Sequence, residues 1–433
     1  MNPRRRVVIT GMGVVSPAGH DLPVFWETLC SGRSCVHEIR RFDASGYPTR
    51  ISAEIEGFRV REHADVPADW EDLGPIAGYA AGAAWRALDD AGLLGARAAL
   101  DRSRAGVVVA AGLGSYAHKE VFAPCAAARS GNGSEFDWLA FSDTLRRSLR
   151  PLAAVRRSPG SIPAALAHHF LFRGPVMAVM TACAAGTQAL GDAARWISSG
   201  KADVVLAGGA DSELYPMGLA SFCLLGALSR RNEDPASASR PFDASRDGFV
   251  IGEGAGMLIF EELAHALRRG ARVYAEIAGF GSASDAWRAT DPHPEGRGAV
   301  LAMSRALSAG GTVPSQVGYI NAHGTSTPAN DRAETLAIKT VFGESACRVA
   351  VSSTKSMIGH LTAAAGAVEA VATVLTLVHR TIPPTINYQT PDTECDLDYV
   401  PNRSRPAEVE YALSNSFGFG GQCASLLLRR EAS

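Results

Sequence analysis

Lysine is scarce in this chain of 433 residues. Lys119, Lys201, Lys339 and Lys355 are the only four, so arginine supplies nearly all of the 42 basic side chains. The 44 acidic residues bring the formal net charge to −2, which excludes the strongly basic balance typical of nucleic-acid-binding proteins. A lysine within such an arginine-rich background indicates a position that needs a compact ammonium group.

Paired cysteines, a signal sequence and long apolar runs are also lacking. The eight cysteines are scattered, with no Cys-x-x-Cys pair and no metal-ligand spacing, which argues against a disulfide scaffold or a metal site. The N-terminal Met1-Asn-Pro-Arg-Arg-Arg6 leads into a short apolar segment without a signal-type cleavage region. We expect no apolar run to approach the roughly 18–20 residues that cross a bilayer. These features predict a cytoplasmic protein that does not enter the membrane.

Hydrophobic residues make up 46% of the chain and charged residues 20%, which is typical of a large-cored α/β enzyme. The length allows two domains or one large duplicated domain. Strand-like apolar runs occur in both halves: Val7–Val15, Ala105–Ala111 and Val204–Ala210 in the first, and Ala271–Phe280, Val317–Asn321 and Leu426–Leu428 in the second. The matching helix endings Arg86-Ala-Leu88 and Arg305-Ala-Leu307 add a weak internal echo.

The segment around Cys183 is the most informative part of the chain. An apolar run, Pro175–Met180, predicts a buried strand, and Gly186–Ser199 has the spacing of apolar residues that predicts a helix. Cys183 would therefore lie at a helix N-terminus, where unpaired N–H groups and the helix dipole are expected to lower a thiol pKa. A nucleophile is one interpretation. The other is a buried structural cysteine, since free cysteine is among the most buried residue types.

Two later segments each place a histidine in a polar turn after a predicted strand. His323 lies in Asn321-Ala-His-Gly-Thr-Ser-Thr327, and His360 lies in Ser352-Ser-Thr-Lys-Ser-Met-Ile-Gly-His360. Either histidine alone fits a structural turn residue. One thiol and two imidazoles together suit acyl transfer through a thioester, in which the imidazoles donate hydrogen bonds or move protons.

With these motifs, the chain resembles the elongating β-ketoacyl-[acyl-carrier-protein] synthases of type II fatty acid synthesis and their type II polyketide relatives. The matching stretches run in order over nearly the whole chain: Val7–Pro17, Ala207–Asp211, Arg240–Gly256, Pro383–Asn387 and Asn415–Gly421. Asp247–Gly256 looks like a dinucleotide-binding loop, but it does not follow the strand–turn–helix order that such a loop requires. We interpret its glycines as structural.

The resemblance implies an α/β, thiolase-like fold of two duplicated βαβαβαββ halves in a five-layered αβαβα arrangement. Residues 1–262 would form the half that carries Cys183, and residues 263–433 the half that carries both histidines. The charged segment Glu261–Arg269 is the expected join. Members of this family are normally dimers, so we expect a homodimer or a heterodimer with a chain-length-factor-like subunit.

The resemblance also implies a mechanism. Cys183 would accept an acyl chain from an acyl carrier protein, and a malonyl group on a carrier phosphopantetheine would then lose CO2 and attack the Cys183 thioester. His323 and His360 would stabilise the enolate. No cofactor is expected to be bound permanently, because the substrates arrive on the carrier's phosphopantetheine.

Supporting roles follow from the same resemblance. Lys355 would pair with Glu334 and organise the two histidines, although a solvated surface lysine is the alternative. The N–H of Phe419 would form the oxyanion hole with that of Cys183, and the Phe419 ring would gate the acyl pocket. Thr325 and Thr327 would hydrogen-bond the phosphopantetheine arm.

Departures from the family pattern leave the pathway open between fatty acids and a specialised type II polyketide or polyene, with the specialised pathway favoured. The last motif ends in Gly420-Gly-Gln-Cys423, where Gly-Gly-Thr-Asn is common. The stretch Ala64–Leu73 is acidic where a basic carrier-docking cluster is usual, which predicts a dedicated carrier protein. The alternative function is a non-catalytic or decarboxylating partner of a ketosynthase. Such subunits generally lack the cysteine.

Overall fold

The computed structural model describes residues 5–67, 70, 74–95, 100–112, 118–129, 135–148 and 158–431, without the side chains of 118–121. Its strands are β1 (Val7–Val15), β2 (His37–Glu38), β3 (Ile51–Ser52), β4 (Ala105–Ala111), β5 (Val176–Val179), β6 (Val204–Ser212), β7 (Glu253–Glu262), β8 (Ala275–Ser284), β9 (Val317–Asn321), β10 (Ala350–Ser352), β11 (Thr381–Ile382), β12 (Arg405–Pro406), β13 (Tyr411–Gly418) and β14 (Gln422–Arg430). Its α-helices are Leu22–Ser31, Val60–His63, Pro75–Asp90, His118–Ala127, Trp138–Ser148, Ser161–His169, Ala185–Ser198, Pro216–Leu224, Leu263–Arg268, Arg297–Gly310, Pro328–Phe342, Lys355–Ile358 and Ala365–His379.

The main sheet repeats one topology twice. Its ten strands run in the order β10-β9-β13-β14-β8-β1-β7-β6-β4-β5, and the two halves meet where β1 pairs with β8. Counted outward from that junction, each half begins with two antiparallel pairings and ends with two parallel ones. The chain therefore folds as two halves of the same design.

Helices cover both faces of the sheet. Its central strands are therefore buried on both sides and consist of continuous runs of mainly apolar residues. Every residue of β1, β4 and β6 is buried. Helix Pro75–Asp90 packs on β1 and β7, and helix Arg297–Gly310 packs on β8 and β14. Helices Ala185–Ser198 and Ala365–His379 contact strands of both halves and form the middle layer. The result is an α-β-α-β-α arrangement.

Glycines at matching places in the two halves let helices approach the strands. A Cβ on Gly13 of β1 would come within 2.0 Å of the Ala83 carbonyl oxygen. A Cβ on Gly281 of β8 would come within 2.1 Å of the Ala302 carbonyl oxygen. The same close approach of a helix to a glycine occurs on β1 and on β8. It supports the internal duplication more strongly than the matching helix endings Arg86-Ala-Leu88 and Arg305-Ala-Leu307 do.

The sequence-based expectations hold for several strands and are wrong elsewhere. Val7–Val15, Ala105–Ala111 and Val317–Asn321 are strands with the expected bounds. Strand β8 is shifted by four residues toward the C-terminus, since it begins at Ala275 and ends at Ser284 where Ala271–Phe280 was expected. Strand β7 begins at Glu253, inside the glycine-rich segment 247–256, for which the sequence predicts structural glycines but no strand. Strand β13 also went unpredicted. The division of the chain into 1–262 and 263–433 stays a prediction.

One helix corrects the expectation that no segment is long and apolar enough to cross a membrane. The 18 residues Thr362–His379 meet that criterion by length and composition, but 89% of the stretch is buried inside the fold. It is therefore a core helix, and its apolar side chains pack within the middle layer of the fold.

The N-termini of the two middle helices meet at glycines. A Cβ on Gly186 would lie 2.7 Å from the Ala367 nitrogen and 3.0 Å from the Ala363 carbonyl oxygen, and both of these are backbone atoms that cannot rotate away. This close crossing brings the turn that carries Cys183 against the turn at 362–364.

We expect Gly186→Ala to lower the free energy of unfolding by about 1–3 kcal/mol, because the added methyl group overpacks a backbone-to-backbone contact. Gly46→Ala is the matched control, since Gly46 is exposed and a Cβ there meets no atom within 4 Å. That control should stay within about 0.5 kcal/mol of the parent protein. Denaturant titration measures both, and an equally small effect at Gly186 would contradict the crossing.

Candidate active site

Cys183 lies in a tight turn, residues 182–184, between β5 and helix Ala185–Ser198. Ala182, just before it, has a φ of 48°, a left-handed conformation that is unfavourable for a residue with a side chain. The end of β13 supports the turn, because a Cβ on Gly418 would lie only 3.0 Å from the Cys183 nitrogen. The next residue, Phe419, is thereby brought to the thiol.

The pKa of the Cys183 thiol does not follow the expectation from the helix N-terminus. Burial raises it to about 11, while the positive charge of Lys355 and hydrogen bonds from the backbone N–H groups of Phe419 and Cys183 lower it. The lowering influences are present, but desolvation outweighs them. The two N–H groups that reach the sulfur are those expected in the oxyanion hole.

His323 and His360 share a cavity with Cys183. Their ring centroids are 5.2 Å apart and the rings meet edge to face. The cavity measures about 310 Å3 and is also lined by Thr325, Thr327, Thr362, Phe222, Phe249, Phe417, Phe419 and Cys423. One thiol and two imidazoles therefore meet in one cavity, to whose wall four phenylalanines contribute. Cys423, from the departing last motif, is a second thiol in that wall.

His360 presents a proton donor to the cavity. The backbone N–H of Thr362 donates to its Nδ1 at 3.2 Å, so Nδ1 accepts and the neutral ring carries its proton on Nε2. That Nε2 is buried and has no hydrogen-bond partner within the described part of the chain. Burial first, and then the charge of Lys355, hold the pKa of His360 well below its ordinary value. The ring is neutral at neutral pH.

His323 is held through its backbone. Its N–H and that of Gly324 donate to the two carboxylate oxygens of Glu334 at 2.9 and 2.8 Å. Burial raises the pKa of Glu334 to about 7, and these hydrogen bonds oppose the rise. The pKa of His323 is well below its ordinary value, because of burial first and then the charges of Lys355 and His360. Glu334 thus clamps the turn that carries the imidazole.

The expected pairing of Lys355 with Glu334 is wrong. Lys355 is 1% exposed, and its ammonium forms an ion pair with Glu369, in helix Ala365–His379. Glu334 is occupied by the His323 turn and by the Asn415 amide at 3.3 Å. The sequence carried one signal for Glu369: it is the only charged residue in the apolar stretch 362–378. A charge in such a helix is expected to be paired.

Thr325 and Thr327 lie beside the histidines, and their side-chain oxygens are 2.9 Å apart. Ser326 between them has a φ of 70°, which turns the chain so that both threonines line the cavity. Thr327 also caps helix Pro328–Phe342 by accepting from the Asn330 N–H. The predicted site residues Cys183, His323, His360, Thr325, Thr327 and Phe419 all line the cavity, and Lys355 and Glu334 lie buried behind it.

The predicted acidic carrier-docking stretch is only partly described. Asp65 is part of the structure, whereas Asp69, Glu71 and Asp72 lie outside the described residues. Arginines elsewhere on the surface could take the place of the usual basic cluster, and Arg230 is one that is exposed; its backbone N–H donates to Asp247 at 3.1 Å. Arg150, Arg156 and Arg157 lie outside the described residues, and the dedicated carrier stays a prediction.

Family models match the chain in two consecutive stretches. Residues 4–266 match the beta-ketoacyl synthase N-terminal domain, and residues 274–389 match the C-terminal domain of the same family. The chain belongs to the β-ketoacyl synthase family.

Curated relatives match over the full length. The chain is 42% identical over 435 residues to the 3-oxoacyl-[acyl-carrier-protein] synthase 2 of Coxiella burnetii, covering 99% of both chains. It is 41% identical to the synthase of the same name from Synechocystis sp., covering 99% of this chain and 98% of the relative.

Solved structures agree. A beta-ketoacyl synthase from Burkholderia phymatum superposes with a TM-score of 0.87 at 36% identity, covering 99% of this chain and all of that one. A type II polyketide ketosynthase, in the AntDE:AntF complex with its acyl carrier protein, superposes with a TM-score of 0.86 at 35% identity and the same coverage.

These comparisons confirm three predictions made from the sequence. The family is the expected one, the fold is thiolase-like, and the protein is an enzyme, a β-ketoacyl-[acyl-carrier-protein] synthase. The alternative, a partner subunit without condensing activity, gains no better support from them.

The two neutral histidines predict how stability depends on pH. Their folded-state pKa values are lowered, so below about pH 6.5 the unfolded chain binds protons that the folded chain excludes. Their contribution to stability is complete above that pH and is lost as the pH falls, by up to about 1.4 kcal/mol per histidine and pH unit.

We therefore expect the melting temperature of the His323→Gln, His360→Gln double variant to fall less between pH 7.5 and 5.5 than that of the parent protein. Differential scanning calorimetry at both pH values measures the difference. The exposed His168→Gln serves as the control and should reproduce the parent's fall. Parallel curves for the parent and the double variant would contradict the assignment of neutral buried imidazoles.

Proposed function

We propose that this synthase joins an acyl group held as a thioester on Cys183 to a malonyl group on an acyl carrier protein, releasing CO2 and a β-ketoacyl-[acyl-carrier-protein]. The observation that carries the proposal is the convergence of the Cys183 thiol with the neutral imidazoles of His323 and His360 in one cavity. Decarboxylative condensation needs one nucleophile that holds the acyl group and two hydrogen-bond donors that stabilise the enolate oxygen.

The first half-reaction loads Cys183. The Cys183 sulfur attacks the acyl thioester of the carrier, the bond between the acyl carbon and the carrier sulfur breaks, and the proton lost by Cys183 balances the one gained by the carrier sulfur, which leaves as a thiol. A pKa of about 11 makes the thiolate a minor species, and the charge of Lys355 and the N–H groups of Cys183 and Phe419 favour its formation. The same two N–H groups then stabilise the oxyanion of the tetrahedral intermediate.

The second half-reaction uses the histidines. Loss of CO2 from malonyl leaves an enolate, whose oxygen accepts hydrogen bonds from the Nε2–H of His360 and from the His323 ring. The enolate carbon attacks the Cys183 thioester carbonyl, forms the new C–C bond and releases the cysteine sulfur. A neutral imidazole can serve in this role, because its one N–H donates a hydrogen bond to the oxygen on which negative charge develops.

The acyl groups enter on a long arm. Thr325 and Thr327 line the cavity with hydroxyl groups that can hydrogen-bond the amides of phosphopantetheine. The arm belongs to the carrier protein and comes and goes with each substrate, so the enzyme needs no permanently bound cofactor for this chemistry. We place the reaction in the cytoplasm.

The pathway is fatty acid synthesis or, as we favour, specialised type II polyketide or polyene synthesis. The curated relatives are named 3-oxoacyl-[acyl-carrier-protein] synthase 2. The structural neighbours include the type II polyketide ketosynthase of the AntDE:AntF complex and the ishigamide ketosynthase/chain length factor, the latter with a TM-score of 0.87. The departures at Gly420–Cys423 and at the acidic docking stretch favour the specialised role.

The roles of the three central residues predict different partial reactions. Cys183→Ala should abolish acylation and condensation while retaining decarboxylation of malonyl on its carrier, since the histidines remain. His323→Ala and His360→Ala should still become acylated at Cys183 but lose decarboxylation by about 100-fold or more. Intact-mass analysis detects the acyl adduct, and CO2 release measures decarboxylation. An acyl adduct that survives in Cys183→Ala would exclude Cys183 as the nucleophile.

We further propose that the chain pairs with a second subunit along β5. This strand is at the end of the sheet and, within the part of the chain that the structure describes, pairs only with β4, which leaves its other edge without a partner strand there. Val176 and Met180 at this edge are 44% and 56% exposed. An open edge with exposed apolar side chains is a surface that natural proteins cover. A second copy of this chain or a chain-length-factor-like subunit would cover it.

We expect the purified chain to have twice its mass of 45.4 kDa in light scattering, and Met180→Glu to shift it toward the single-chain mass, because a charge would be buried at the interface. Leu267→Glu is the matched control, as Leu267 is 63% exposed on helix Leu263–Arg268, away from this edge. A parent protein that is an active monomer, with no partner subunit added, would contradict the proposal.

A further inference from the structure

Asp211 is a buried carboxylate that the mechanism above does not use. It lies near the end of β6 and is 2% exposed. One oxygen accepts from the Thr362 hydroxyl and from the Ala363 N–H at 2.9 Å, and the other accepts from the Ser212 N–H at 2.9 Å. Gly112 packs so tightly against it that a Cβ there would lie 2.3 Å from the Asp211 Oδ1. Three hydrogen bonds and the close packing of Gly112 therefore hold the Asp211 carboxylate in one orientation.

Thr362 connects this carboxylate to the active site. It has a φ of 46°, a conformation that is costly for a β-branched residue and needs surrounding contacts to persist. Asp211 supplies such contacts at both the Thr362 side chain and the following amide. The Thr362 N–H is in turn the donor that makes Nδ1 of His360 an acceptor and leaves the proton on Nε2.

The remaining contacts of His360 fix its backbone and pack against its ring. Its N–H donates to the Val250 carbonyl at 2.7 Å, and its carbonyl accepts from the Gly252 N–H at 2.9 Å. Phe249 meets the ring edge to face at a centroid distance of 5.3 Å. Among the described residues, the Thr362 N–H is the one group that hydrogen-bonds a ring nitrogen of His360. The tautomer of His360 therefore depends on the conformation of Thr362.

We propose that Asp211 is a positioning residue: by holding Thr362 in its left-handed conformation, it orients the amide that fixes the tautomer of His360 with Nε2–H toward the cavity. The effect on the tautomer follows from the geometry alone. The effect on condensation rests on the proposed function of His360 as the donor to the enolate.

The charge of Asp211 allows its positioning role at His360 to be distinguished from a direct effect on the reactivity of the Cys183 thiol. Burial raises the pKa of Asp211, and the hydrogen bonds from Thr362, Ala363 and Ser212 oppose that rise. In its ionised form Asp211 raises the pKa of the Cys183 thiol, so its removal does not disfavour the thiolate. A variant that lacks the carboxylate should therefore acylate at least as readily as the parent. Slower condensation in such a variant must come from the histidine side of the site.

The experiment compares two disruptive variants, Asp211→Ala and Thr362→Val, with two conservative ones, Asp211→Asn and Thr362→Ser. Asn keeps an oxygen that can accept from Thr362 and Ala363, and Ser keeps the hydroxyl that Asp211 holds. In 15N-histidine-labelled protein, the two-bond 15N–1H correlations report which ring nitrogen of His360 carries the proton, with His360→Gln supplying the assignment. Rapid quench then measures acylation of Cys183 and, separately, condensation from the pre-acylated enzyme.

We expect Asp211→Ala and Thr362→Val to mix or reverse the His360 tautomer and to slow condensation from the acyl-enzyme by about 10-fold or more. Acylation should stay within about twofold of the parent or become faster. Asp211→Asn and Thr362→Ser should restore condensation to within about threefold. Thr362→Val keeps the inference testable if the loss of the Asp211 carboxylate prevents folding.

An unchanged His360 tautomer in Asp211→Ala and Thr362→Val would overturn the inference, as would an equal loss of acylation and condensation. A changed tautomer with condensation unaffected would support the positioning role and would instead refute His360 as the donor in the proposed function. The two ideas therefore fail through different measurements.

Discussion

The electrostatics of the active site depends on one buried cation. The Lys355 ammonium lies behind the cavity, and its charge lowers the pKa of Cys183, of His323 and of His360. For the thiol this favours the reactive anion, and for the imidazoles it favours the neutral ring, so one charge serves both halves of the reaction. An isolated buried ammonium would be too costly, and Glu369 is the partner that permits it.

The duplicated fold explains why these groups meet. Each half delivers a strand, a turn and a middle-layer helix to the centre, and the two helices cross at Gly186 with no room for a side chain. The first half contributes the Cys183 turn at that crossing. The second half contributes the turn at 362–364, which follows His360. The Ala363 N–H of this turn donates a hydrogen bond to the Asp211 carboxylate of the first half. The active site is thus built across the internal repeat.

Desolvation is the second influence on the site: it opposes the effect of Lys355 on the thiol pKa and adds to the effect of Lys355 on the histidine pKa values. It raises the pKa of Cys183 to about 11 and that of Glu334 to about 7, and it holds both histidines neutral. The backbone N–H groups at Cys183 and Phe419 work against it at the one place where negative charge must form. An apolar cavity suits acyl chains and enolate chemistry, and the local donors make the charged steps possible within it.

The motifs in the amino-acid sequence were enough to predict the family, the fold and six residues that line the cavity. The motifs around Cys183, His323, His360 and Phe419 each combine a strand end with a turn of small residues, a pattern that needs no knowledge of distant contacts. The sequence did not determine the partner of Lys355, the pKa of the thiol or the link from Asp211 to His360. Each of these depends on contacts between residues far apart in the chain, such as the 151 positions that separate Asp211 from Thr362. Only tertiary packing decides which buried charge finds which partner, and how completely water is removed from a thiol at a helix N-terminus.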